Sequence, residues 1–72
     1  MNLSEVAQLK KQIECECQAM NLALYGYSEV ASHHIINSRY SAIGRCQDQL
    51  ETLVGEEAAA TIVVDVYNKV IG

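Results

Sequence analysis

The sequence predicts an all-α protein: two long helices forming a hairpin, then a shorter apolar C-terminal helix, assembled into an oligomeric helical bundle. Three observations predict it. The 72 residues include no Pro and only four Gly, so long stretches carry nothing that breaks a helix. Apolar residues recur at steps of three and four over two long segments. The last segment is apolar nearly all round, more than one face of a small bundle should need.

The first helix opens at Ser4, a good N-cap residue, with Glu5 in the first turn where the helix dipole favours negative charge. Its stripe runs Val6, Leu9, Ile13, Cys17, Met20, Leu24, Tyr27 and Ala31, with Lys10, Glu14, Gln18 and Asn21 on the opposite face. A second stripe runs Ile36, Tyr40, Ile43, Gln47, Leu50 and Val54, flanked by Cys46 and Leu53. Its polar side is Asn37, Ser41, Arg45, Asp48 and Thr52. The two stripes are out of phase, because helical steps from the first lead to the polar Ser38, Ser41 and Arg45. A break or kink near Gly26 resolves the slip, with Ser28 available to cap a new helix; one continuous helix whose buried face shifts is the alternative.

Gly55 reads as a helix C-cap, where a left-handed conformation suits Gly. Glu56 and Glu57 then open the last helix, "EEAAATIVVDVYNKVI", and Lys69 sits in its last turn. Asp65 and Lys69 stand at i, i+4, the better orientation for a helical ion pair. The β-branched run 61–64 would suit a strand, but a lone strand has no partner in this chain. Ile62, Val63, Val64, Val66, Tyr67, Val70 and Ile71 cover much more than one helix face. Two other helices are too few to bury them, so Ile62, Val63, Val66, Tyr67 and Val70 are expected to form an interface between copies of the chain.

Length allows a single small domain, residues 1–72. The net charge of −4 argues against non-specific nucleic-acid binding, which needs a basic face. Three Cys is an odd number for a disulfide scaffold, so reduced thiols and a cytoplasmic setting are expected. The N-terminus has no apolar core of a signal peptide, and no apolar run approaches a membrane span.

The stretch "SEVASHHIINSRYS", residues 28–41, holds both histidines. His33 and His34 point about 100° apart on a helix and cannot easily clasp one ion together. Glu29 and His33 are one turn apart and share a face, which makes them a candidate metal pair; Glu14 and Glu16, which themselves point apart, could add a carboxylate from the first helix, Glu14 first. Their spacing is one residue longer than the Glu-x-x-His of di-iron bundles, and a full site would need several subunits. The structural reading of the same residues is a solvated or paired histidine at a helix junction. Tyr25, His33, His34, Arg39 and Tyr40 together fit a partner-binding surface, since Tyr and Arg are enriched at protein contacts. Tyrosines on helices are as often core residues with a wet hydroxyl.

In "ECEC", Cys15 and Cys17 lie on nearly opposite helix sides and cannot chelate or bridge. Cys17 continues the core stripe as a small hydrophobe, and Cys15 is the expected exposed thiol. No Gly-x-Ser-x-Gly elbow or Gly-rich phosphate loop is present. The reading is a small non-enzymatic regulatory or interaction module, without cofactor or evident small-molecule substrate. It would form a homodimer or higher homo-oligomer that binds a protein partner. A metal-binding or redox bundle with its site formed across subunits is the second reading. A DNA-binding regulator built on Arg39 and Arg45 is the third.

Overall fold

The computed structural model describes residues 3–26 and 29–72, without the side chains of residues 3, 24–26 and 29–32. Three helices make up the described residues, with no strand: α1 (Leu3–Gly26), α2 (Glu29–Val54) and α3 (Glu56–Val70). α1 ends at Gly26 and α2 begins at Glu29 among the described residues; Tyr27, a member of the first stripe, and Ser28, the candidate cap of a second helix, lie outside them, as do the side chains of Leu24 and Ala31. α1 starts at Leu3, so Ser4 sits inside the first turn rather than capping it.

All three helices pack against one another. The α1 stripe enters the core as its spacing predicts: Leu9, Ile13, Cys17 and Met20 are buried. Ala23, one helical step further, joins them. On α2 the buried line is Ile43, Cys46 and Leu50, with Ile36, Leu53 and Val54 packed against it. This corrects the predicted stripe by one ridge. Cys46, expected at the flank, is 2 % exposed, while Tyr40, which the stripe placed inside and the partner-surface reading outside, is 52 % exposed. Ile43, Cys46 and Leu50 are themselves spaced by three and four, and a three-residue step back from Ile43 reaches Tyr40 on the edge of the face.

Within the chain the apolar surface of α3 is covered in part. α3 packs on both α1 and α2, so its apolar arc is met from two sides. Ala59 and Val66 belong to the core, and Ile62, Val63, Tyr67, Val70 and Ile71 pack against it while remaining partly exposed. Val64 alone among its large apolar side chains is exposed, at 54 %. The β-branched run is helical throughout, and the Thr61 hydroxyl donates to the Glu57 carbonyl at 3.0 Å, one turn back.

Gly55 is the one-residue joint between α2 and α3. Its φ of 91° is positive, as a helix-ending glycine suggests, but its ψ of 163° lies in an extended region that only glycine occupies readily, not the left-handed helical one. Its N–H donates to the Glu51 carbonyl and its carbonyl accepts from Ala59 N–H, both at 3.0 Å. Gly55 thus closes one helix and opens the next. Glu56 and Glu57 stand in the first turn of α3 and Lys69 in its last, each at the favourable end of the dipole. The Asp65–Lys69 ion pair is not formed; both side chains flank a groove between α1 and α3 beside Lys10 and Glu14. Exposed pairs gain little for the side-chain freedom they give up.

Candidate functional site: an apolar pocket between α2 and α3

α2 presents Tyr40, Ile43, Gly44 and Gln47 along one ridge, and α3 presents Val63, Val64 and Tyr67 opposite. Between them lies a pocket of about 260 Å³, mostly apolar and open to solvent on one side. Cys17 of α1 closes its floor with Ile43, and both are buried. The helical spacing produces this geometry directly: 40, 43, 44 and 47 recur at three and four, as do 63 or 64 and 67.

The phenols of Tyr40 and Tyr67 line the same pocket. The neighbouring Tyr40 phenol holds the Tyr67 hydroxyl above its ordinary titration range, through hydrogen bonding and charge, with burial adding to the effect. Tyr40 and Tyr67 were expected on separate surfaces, one facing a partner and one facing another copy. The structure makes them two sides of a single face.

The remaining expected residues divide. Val63 lines the pocket, while Val66 is 7 % exposed and belongs to the chain's own core. Ile62 lines the other groove of α3, against α1, and Val70 packs on the core. On α2, His33 and His34 are exposed. Arg39 is tied inside the chain: its Nη1 donates to Glu16 Oε2 at 2.9 Å. The side chain of Tyr25 lies outside the described residues. So does that of Glu29, the other half of the candidate metal pair with His33. Among the described residues no group of three or more His, Cys, Asp or Glu is placed to hold a metal.

Four residues take roles here that spacing along one helix did not assign to them. Glu16 is nearly covered, its side chain only 14 % exposed, and it anchors Arg39. Its charge, after burial, also raises the titration of the Cys17 and Cys46 thiols, with Arg45 partly opposing this at Cys46. Gly44 and Gln47 form part of the pocket wall, and Val64 its exposed shoulder. The available signal was Gly44, a glycine inside a strong helical pattern, which costs roughly 1 kcal/mol relative to Ala and so calls for a reason.

Cys15 is exposed, Cys17 and Cys46 are buried, and all three are free thiols; the spacing of "ECEC" puts Cys15 and Cys17 on different sides of α1. Among the described residues no helix is long and apolar enough to cross a membrane. The chain matches no protein-family model, no curated protein and no solved structure. What defines it is therefore its own fold and face: a three-helix all-α protein with an apolar pocket between its second and third helices.

Proposed function

We propose that this protein is a small non-enzymatic interaction module that associates with itself, and through itself with a protein partner, by the α2–α3 face. The observation that carries the reading is the grouping of Tyr40, Val63, Val64 and Tyr67 on one side of the molecule, with Tyr40 and Val64 about half exposed. Large aromatic and aliphatic side chains in this state gain the most from a second surface, at roughly 25 cal/mol per Å² of apolar area covered. In this reading α1 and α2 form a hairpin that α3 covers on one side. Two or more copies then meet across α3 and the Tyr40 ridge. Regulation, tethering or inhibition of a partner would follow from which surface the assembled copies leave open.

The interface moves, relative to the sequence expectation, from Val66 to Val64. Native mass spectrometry of the untagged protein, purified without chelator, tests this. The wild type is expected as a homodimer or larger assembly at micromolar concentration. Val64→Asp should leave the helical circular dichroism unchanged and yield monomers. A wild type that stays monomeric, or a Val64→Asp variant that associates as before, rejects the reading. The same spectrum reports any bound metal, which would redirect attention to Glu29 and His33.

A further inference from the structure

We infer that the pocket over Gly44 is a binding site for a small, mostly apolar molecule with one hydrogen-bonding group, about the size of a bicyclic aromatic. This goes beyond the association reading but uses the same α2–α3 face, so a ligand and a second copy would compete for it, and the titration is read at a concentration where the native mass is that of the monomer.

Gly44 supplies the first argument. It lies within α2, where glycine weakens a helix, yet a Cβ built on it would meet nothing within 4 Å. Packing within the chain therefore gives no steric reason for a glycine. Any larger residue would project into the space that Gly44 leaves open. The second argument is size and lining. The pocket's 260 Å³ exceeds the ~150 Å³ cavity that admits benzene. Buried Cys17 and Ile43 make an apolar floor, and Val63 and Val64 an apolar wall. The third argument is the placement of the polar groups. The phenols of Tyr40 and Tyr67 and the amide of Gln47 are the lining side chains able to exchange strong hydrogen bonds with a ligand. A few polar groups on a mainly apolar wall orient a ligand by one end while its body is desolvated. Among the described residues no charged side chain lines the pocket, which favours a neutral ligand.

Indole, neutral and bicyclic with one N–H donor, is the probe. It is titrated into ¹⁵N-labelled protein, followed by two-dimensional NMR. The expected result is saturable shifts grouped on Cys17, Ile43, Gly44, Val63 and Val64, with a Kd tighter than about 1 mM, as a small ligand of this size can reach. Gly44→Leu should weaken binding at least tenfold while circular dichroism shows the helices intact. Gly44→Ala adds only one carbon in open space and should weaken it a few-fold, which keeps the test decisive if the leucine variant does not fold. Shifts that are absent, non-saturating or scattered overturn the inference. So does indole binding unchanged in the folded Gly44 variants. Because the shifts are read residue by residue, a failure of self-association, seen as a monomer mass, is told apart from a failure of ligand binding.

Discussion

Arg39 Nη1 donates to Glu16 Oε2 at 2.9 Å, joining α2 to α1 across 23 positions of sequence. The pair is unequal. The Glu16 side chain is 14 % exposed and that of Arg39 41 %, so the carboxylate depends on the guanidinium more than the reverse. Arg39→Ala strands a largely covered charge and should cost about 1–3 kcal/mol. Glu16→Gln lets Arg39 turn toward water and should cost under ~1 kcal/mol, as partly exposed ion pairs usually do. Urea unfolding of the two variants checks the order. Equal losses would mean that the pair contributes through geometry alone.

The thiols give a pH prediction with a definite sign. Burial, reinforced by the Glu16 charge, raises both Cys17 and Cys46, and the neighbouring Tyr40 phenol raises Tyr67. Each group is neutral when protonated and harder to ionise folded than unfolded, so the folded state keeps its protons to higher pH. Stability is therefore at its full value below the ordinary thiol range, about 8.5, and falls as pH rises through and beyond it. Denaturation followed from pH 7 to 11 should show a declining midpoint. At pH 8 a thiol reagent should label Cys15 quickly, and Cys17 and Cys46 only on unfolding. Rapid labelling of all three would contradict the packing of α1 on α2.

Two glycines should respond in opposite directions to the same substitution. Gly55→Ala forces a side chain onto a positive φ of 91° and should destabilise by about 1–3 kcal/mol, although no atom lies in the way. Gly44→Ala keeps a helical backbone, meets nothing, and should stabilise by about 0.5–1 kcal/mol. Thermal melts read both shifts. A stabilised Gly55→Ala would mean that the α2–α3 joint has a different backbone.

Valine by valine, α3 separates surface from core. Val66→Asp buries a charge in the core and should unfold the protein, while Val64→Ala on the surface should change stability by about 0.5 kcal/mol or less. Leu50→Ala, at a fully buried position on α2, should cost about 2–5 kcal/mol. Chemical denaturation of the three variants gives the ranking. Similar losses for Val64→Ala and Leu50→Ala would overturn the assignment of Val64 to the surface.

The helices were legible because helical periodicity is local. The α1 stripe of Leu9, Ile13, Cys17 and Met20 enters the core at the positions its spacing marks. The turn chemistry was legible in part: Gly55 announced a positive φ, but the required ψ depends on the direction in which α3 must leave α2. The candidate site was less so. Tyr40 and Tyr67 both stood out by composition, yet their meeting at one pocket depends on the packing of two helices, and spacing along one helix says nothing about the other.

By itself, then, the sequence determined three helices and, on α1, the face that turns inward, because side-chain direction repeats every 3.6 residues whatever the helix packs against. Tertiary structure alone decided how wide an arc of α3 is covered. It also decided that Val66 is core and Val64 surface, and that Glu16 meets Arg39. Those outcomes depend on the angle at which a helix crosses its neighbours, and that angle comes from ridges of side chains fitting grooves on separate elements.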